Sequence, residues 1–584
     1  MRLLHNNVFV VVAVVVLILS ISACVEQANA EQSYDWNETD HRQDSESTTN
    51  VICNSPNTPE TTLLDCKIDE HDRIVYVDMN ATSGTNDGTS WDNAYTDLQS
   101  ALTYALPGDE IWVAEGTYKP GTKSHDSFSL ENNVSVYGGF TGTETARDQR
   151  DWEHHATILS ADIGEEDYKY DNCFHVFYHP ADSGIDDTAI LDGFIIADGE
   201  ASVVSHARGG GMYNHFSSPT ITNCTFRNNG AHCGGGMFNN HSSPIITNCV
   251  FENNGTRLCG AIANINSSPI ITDCIFRANG SSYDSCMNNL YSRPKISNCT
   301  FQDNHSGEGA AITNEYSSAI ITDCTFENNL GGIWGVINNS YSSTQITNCT
   351  IKGNRSYGFG GGIYNHHSSP EIHNCILLNN AAAKGGGIYS IYSSPTIINC
   401  VLQGNSASTG GGVYNEYSSS VVANCIIWAN TADTGSQIYN GDYSDPIITY
   451  NCIEGGYVGL GNIDNDPLFV NPSIGDIHLM PGSPCIDAGN DEYPIWLQLS
   501  DFEGDDRVLD GNRDGIAMVD IGADEYLQLG DANNDGKIDG TDLIRVKNII
   551  LHSEQETPCA DANRDGKING ADIIWIKKVI LGID

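Results

Sequence analysis

Positive charge is scarce in this chain: 27 Lys and Arg stand against 75 Asp and Glu, a formal net charge of -48. A surface of that sign repels phosphate backbones and anionic headgroups, which excludes nucleic acid and anionic membrane as partners. Long apolar runs are lacking as well. Beyond Ala30 no stretch is apolar enough to cross a bilayer, so no membrane span is predicted. Helical periodicity is missing from the middle of the chain, which excludes ankyrin, TPR and most leucine-rich designs. What is abundant is Gly, at 58, together with Asn and Ser, a composition of turns. At 584 residues the chain has room for several domains.

The N-terminus reads as an export signal over residues 1–30. Arg2 precedes an apolar stretch, Val8 to Ile21, that is short for a membrane span. Ala28-Asn29-Ala30 is a small-x-small cleavage site that would release a soluble chain from Glu31. Ile21-Ser22-Ala23-Cys24 resembles a bacterial lipobox, and that exit would leave Cys24 lipidated at the cell surface. Soluble secretion ranks ahead of it. Residues 31–72 are polar and read as a spacer, in which Cys53 and Cys66 either pair or stay free.

From there a repeat of about 25 residues dominates. Cysteines recur from Cys224 through Cys249, Cys274 and onward to Cys452, with slips of one or two residues. Five residues after each of the first nine stands an asparagine, from Asn229 to Asn430. A second asparagine column runs from Asn214 to Asn440 and is broken by Ser390. Two residues beyond it lies an aromatic-rich column that includes Phe216, Tyr291, Tyr341 and Tyr443. A solenoid explains all of these columns together. Each repeat is one coil of short strands, and like residues stack about 4.8 Å apart. Asn tolerates left-handed φ at a corner, and its amide can bond the amides above and below. The fold class predicted is mainly β, a parallel β-helix. The cysteines alternate with Ile and Phe, as in Ile221-x-x-Cys224-x-Phe226, so they are expected to point inward as small apolar fillers. Stacked Cβ vectors suit a disulfide poorly, and a single file does not converge on zinc.

The segments Ile74 to Asp78, Gly88 to Trp91 and Pro107 to Val113, with Gly138-Gly139-Phe140, resemble the start of right-handed parallel β-helix proteins of the pectate-lyase-like group. Asp466-Pro467-Leu468-Phe469, Gly482 to Asp487 and Val519 to Ala523 resemble the closing segment of surface β-helix proteins. The resemblance implies a β-helix over 74–455, a closing segment over 456–526, and a group that contains both polysaccharide-active enzymes and non-catalytic adhesins.

Glycosidase chemistry needs two carboxyls at about 5–5.5 Å or about 6.5–9.5 Å. Along one column Glu315 and Glu416 lie four coils apart, roughly 19 Å, too far for either mechanism. Glu315 and His366 are about 10 Å apart, and a solvated variable column is the preferred reading of them. Arg227, Glu252, Arg277, Gln302, Glu327 and Lys352 read as cross-strand charge pairs of the scaffold. Less regular stretches carry His154, His155, Asp162, Asp167 and His175. The first place to look for a cleft is the neighbourhood of Asp198, His206 and Arg208. No catalytic residue is assigned.

The C-terminal stretch is the most specific. Asp531, Asn533 and Asp535, then Gly536, Lys537, Asp539 and Asp542, form a twelve-residue calcium loop. It recurs thirty residues later as Asp561, Asn563, Asp565, Gly566, Lys567, Asn569 and Asp572. Positions one, three and five offer short oxygen ligands, the glycine permits the turn, position seven gives its carbonyl, and positions nine and twelve complete the shell. Each loop leads into an apolar helix. The pair resembles a type I dockerin over 528–584. That resemblance implies two calcium ions, a cohesin module as partner, and recognition through Thr541, Lys547, Asn548, Ala571, Lys577 and Lys578. A third stretch, Asp510 to Gly515, is either a tight turn or a calcium site. Together these features predict an extracellular β-helix tethered to a cohesin-bearing scaffold and associated with polysaccharide or a cell surface. The alternatives are a polysaccharide lyase or glycoside hydrolase, and a structural adhesin or surface-layer protein.

Overall fold

The structure is a computed structural model that describes residues 73–165, 168–202, 208–491, 500–533, 537–552, 558–563 and 567–581. The export signal, Cys24, the spacer, Asp167, His206, Asp535 and Asp565 lie outside the described residues. Among the described residues no helix is long and apolar enough to cross a membrane.

Each regular coil is built from three or four short strands. In one of them these are Thr220–Thr222, Thr225–Arg227, Gly230–Ala231 and Met237–Asn240. Corresponding strands of successive coils pair in parallel, as Ile221 with Ile246 and Phe226 with Phe251. The result is four stacked sheets of fourteen, thirteen, eleven and seven strands. The protein is a right-handed parallel β-helix. The helix Leu98–Tyr104, capped by Asp97, covers its first coils with Leu98, Ala101 and Leu102.

Alternation decides what faces inward. Ile221, Cys224 and Phe226 and their counterparts are buried throughout and form one continuous core. Phe226, Phe251, Phe276, Phe301 and Phe326 stack with ring centroids 4.6 to 5.0 Å apart. The cysteines of the column are free thiols buried among them. A Cβ on Gly386 would lie 2.5 Å from the Gly411 carbonyl oxygen of the next coil, so that corner tolerates no larger residue.

The asparagine columns divide two jobs that the sequence suggested one residue performs. The ladder residues Asn229 and Asn254 point inward, and it is the residue before each, Asn228 and Asn253, that adopts φ of 57° and 52°. Freed from the corner, each ladder amide is fully used. Asn304 Nδ2 donates to the Phe276 carbonyl (2.8 Å) and to Asn329 Oδ1 (3.0 Å), while Asn304 Oδ1 accepts from Asn279 N (3.0 Å). A buried amide left unpaired costs about 1–3 kcal/mol, so a ladder without gaps turns a polar interior from a liability into a register lock. The second ladder begins on a residue the repeat does not announce. His179 Nε2 accepts from Leu130 N (3.1 Å) and its Nδ1 donates to Asn214 Oδ1 (2.7 Å). Full burial holds this imidazole neutral, with its pKa pushed down to about 4.

The aromatic column is exposed. Tyr291, Tyr316 and Tyr341 sit at left-handed corners and stack on one another at 5.3 and 5.0 Å. Their faces cover each other, and only ring edges meet solvent. The expected charge pairs form on the outer surface, Arg277 with Glu252 at 2.6 Å and Lys352 with Glu327 at 3.8 Å. Beyond the last coil an antiparallel hairpin, Phe469–Asn471 with Asp476–Leu479, packs with Cys485, Ile521 and Ala523 over Ile376, Val401 and Ile426.

Candidate functional site

The two C-terminal loops fold alike at the positions described. Asp542 is fully buried, and its oxygens accept from Asn533 N (3.2 Å) and Asp539 N (2.7 Å). Asp572 does the same with Asn563 N (3.2 Å) and Asn569 N (2.7 Å). Backbone amides therefore orient each position-twelve carboxylate. A buried anion of this kind is costly without a cation beside it. The donors are carboxylates, amide oxygens and a backbone carbonyl, a hard all-oxygen set that fits calcium. When bound, the ion supplies the charge that holds these oxygens together. Lys537 and Lys567 would contribute to this set through the backbone carbonyl.

The helices Gly540–Ile550 and Gly570–Leu581 follow directly, the first with Asp539 as its N-cap. They pack through Val546, Ile549 and Ile576 with Ala532, Ala560 and Ala562. Of the recognition residues implied by resemblance, Thr541, Lys547, Lys577 and Lys578 are exposed, and Asn548 and Ala571 are half-buried. Thr541 is engaged locally, since its hydroxyl donates to Asp539 (2.8 Å) and accepts from Asn533 Nδ2 (2.6 Å). The residue-type reading missed Ile544 and Ile574, which are 60% and 59% exposed at equivalent points of the two helices. The signal was present: each helix carries more apolar residues than one buried face can hold.

The third loop is a turn closed on itself. Asp510 accepts from Asp514 N (3.1 Å) and Gly515 N (3.0 Å), and Asn512 accepts from Asp514 N (2.8 Å). Its Arg513 reaches across to Asp531, with Nη2 2.6 Å from Oδ2.

On the solenoid, a groove of about 770 Å³ is lined by Asp162, Lys169, Asp198, Glu200, His232 and Arg257 among others. Asp198 has φ of 67°, a strained corner for Asp, and its carboxylate accepts from Ser160 Oγ (2.8 Å). Burial, reinforced by the neighbouring Asp162 charge, raises its pKa. Glu200 pairs with Lys169 at 3.6 Å. Burial and the Arg257 and Arg208 charges lower the pKa of His232. The groove thus brings the Asp198 carboxyl, held by Ser160, close to a second acid, Asp162. The other early residues do not join it. Arg208 is buried over the Phe238 ring, His175 Nδ1 bonds the Gly209 carbonyl, and His154 and His155 pair with Asp151 and Glu115.

The reading of Glu315 as part of a solvated column is corrected. Glu315 is 7% exposed, and it lies on the outer face of its sheet near buried Glu308 and half-buried Asp284. Burial, reinforced by the Asp284 charge, pushes Glu308 and Glu315 up to about 8, and burial pushes Asp284 up to about 6. The cause is a break in the repeat. Tyr364, Tyr389 and Tyr414 stack along this face, but coils earlier the same register holds Asn288, Thr313 and Asn338. Asp284 and Glu308 fill the gap from neighbouring corners. Thr313 and Trp334 stand close enough to favour the ionised forms of Asp284 and Glu308, yet Thr313 Oγ1, Trp334 Nε1 and Asn338 Oδ1 complete no hydrogen bond. Glu416 instead accepts from Tyr389 (2.5 Å) and pairs with Lys384 (3.7 Å), and burial lowers the His366 pKa to about 4.

Comparison with known proteins follows the same division. Residues 529–581 match the family model for the dockerin type I domain. Residues 189–305, 281–391 and 335–473 match the model for a right handed beta helix region. Among solved structures the chain is similar to pectate lyase Pel9A, at 14% identity and TM-score 0.31, covering 78% of this chain and 96% of that one. It is similar to the catalytic domain of a GH87 alpha-1,3-glucanase at 14% identity and TM-score 0.42, covering 67% and 69%. It is also similar to the A-module of the Azotobacter vinelandii mannuronan C-5 epimerase AlgE4, at 13% identity and TM-score 0.31, covering 64% and 99%. No curated protein matches the chain.

Proposed function

Because this is a right-handed parallel β-helix protein that carries a type I dockerin at its C-terminal end, we propose that it is an exported cargo held on a cohesin-bearing scaffold through two calcium-loaded loops. The dockerin binds calcium and implies a cohesin partner. The finer reading is that one ion sits in each loop, ligated by Asp531, Asn533, Asp535, Lys537, Asp539 and Asp542 and by their counterparts from Asp561 to Asp572. Release from the cell follows cleavage after Ala30. The observation that carries this reading is the matched pair of buried carboxylates, Asp542 and Asp572, each held by the same two amides and each opening a helix. Ions in both loops fix the two helices against each other, and Ile544, Ile574, Lys547, Lys577, Lys578, Asn548, Thr541 and Ala571 then form the face offered to cohesin. Calorimetry on the exported chain should find two calcium sites. Asp531→Ala with Asp561→Ala should abolish cohesin capture, and capture that survives both substitutions would refute the assignment.

A second reading concerns the cargo, and the groove at Asp162 and Asp198 favours it: the β-helix contacts polysaccharide there, as a lyase or glycoside hydrolase. A polysaccharide panel assayed for unsaturated ends and new reducing ends tests it. Activity should fall at least about 100-fold in Asp198→Asn. Silence on every polysaccharide would leave a rigid adhesive rod.

A further inference from the structure

The hairpin beyond the last coil brings an imidazole into a nest of carboxylates that the tethering function does not use. His478 Nε2 lies 3.1 Å from Glu503 Oε1 and 4.0 Å from Asp524 Oδ1, while its Nδ1 lies 2.6 Å from Asp476 Oδ1. One ligand atom from each of His478, Glu503 and Asp524 falls within 4.8 Å of the other two. Each comes from a different segment. His478 is on the strand Asp476–Leu479, and Glu503 is on a turn whose amides 503, 504 and 505 all donate to Asp501 Oδ1 at 2.8 to 2.9 Å. Asp524 follows Ala523, whose carbonyl accepts from Phe502 N (3.0 Å).

An imidazolium bridging these carboxylates is the simplest account of the contacts, and charge counts against it. Three carboxylates and one imidazolium leave the four groups two negative charges in excess, and the Asp524 side chain is only 5% exposed. A divalent cation in place of the Nε2 proton would halve that excess. Asp476 already holds the Nδ1 side, which is the arrangement that turns an Nε2 lone pair toward a metal. His478 and Glu503 are 27% and 35% exposed, so an ion can enter from solvent and keep a water.

We propose that His478, Glu503 and Asp524 bind a divalent cation of the zinc, manganese or iron(II) class, with Asp476 orienting the imidazole, and that this ion staples the hairpin to the later turns of the closing segment. One nitrogen with two carboxylates suits such borderline ions and not calcium, which takes oxygen ligands alone. The site is thus chemically distinct from the paired loops.

The test uses the full exported chain in excess calcium, which keeps the dockerin loops filled. Cobalt(II) is titrated and followed by visible absorption, and zinc is titrated by calorimetry and thermal melting. One ion per chain is expected, with a cobalt ligand-field band and a rise in Tm on zinc. His478→Ala should lose the band and weaken binding at least about 100-fold, and Asp476→Asn should weaken it about 10–100-fold. Glu503→Gln with Asp524→Asn should lose it too, which keeps the test decisive if His478→Ala misfolds. The proposal falls if the wild-type chain shows no such band, or if binding is unchanged in these variants.

Discussion

The solenoid and the C-terminal module solve the same problem in opposite ways. Both bury polar groups in repeated positions. In the first ladder of the solenoid, from Asn229 to Asn430, each amide is donor and acceptor at once, so each coil satisfies the next. In the C-terminal module the buried groups are carboxylates, which accept and cannot donate, so repetition alone leaves excess negative charge. Only a cation completes it. Stacked amides give a scaffold that completes itself, and on the proposed reading the paired buried acids give a module whose order depends on metal.

The largest effect that separates the two regions is chelation. EDTA should abolish the helical order of the C-terminal module and leave the β-sheet circular dichroism of the solenoid coils unchanged; coils that unfold on chelation would erase the distinction. Next comes a break in the amide ladder. Asn304→Ala strips partners from Asn279, Asn329 and the Phe276 carbonyl together, and should cost about 2–4 kcal/mol in urea unfolding. Calcium affinity should not change.

The buried acids sharpen the contrast from inside the solenoid. Glu308 and Glu315 have folded pKa values near 8, above the ordinary glutamate value of 4.5. Between those values the folded state holds protons that the unfolded chain has released. Stability is therefore undiminished below about pH 4 and falls as pH rises toward 8. Glu308→Gln with Glu315→Gln should remove that slope, raising stability at pH 8 by on the order of a few kcal/mol and leaving pH 4 unchanged. A flat wild-type profile would contradict the geometry. A smaller gain is expected from repairing the second ladder. Ser390 has no amide to donate onward, and Asn415 Oδ1 is buried without a donor. Ser390→Asn should add about 1 kcal/mol. Smallest is Arg513→Ala, which frees Asp531 from a half-exposed ion pair and should raise calcium affinity in the first loop alone by about 2–5-fold, read by site-resolved NMR titration.

The columns of Cys, Asn and Phe made the solenoid legible, because a period that survives ten coils leaves few other folds. The loop spacing from Asp531 to Asp572 made the dockerin legible for the same reason, since fixed ligand offsets are a geometric demand. What stayed hidden lies where the repeat is interrupted. Asp284 stands in a corner column held mostly by Gly, and Glu308 in a variable one that includes Cys233, Tyr283 and Phe359; the burial of both acids depends on Asn288, Thr313 and Asn338 replacing bulky rings in a sheet they do not belong to. His179 caps a ladder one coil before the repeat begins. The groove at Asp162 and Asp198 joins residues from irregular early coils, whose convergence no spacing rule encodes. The corner assignment of the ladder asparagines failed by one residue in the first ladder and two in the second, because the left-handed corners fall beside the inward amides and not on them.

The most direct test of the tethering account is surface plasmon resonance of the exported chain over an immobilised cohesin, with calcium and then with EDTA in the same run. The account predicts tight capture that collapses at least about 100-fold on chelation and returns when calcium is restored. Capture of equal strength in EDTA would contradict it.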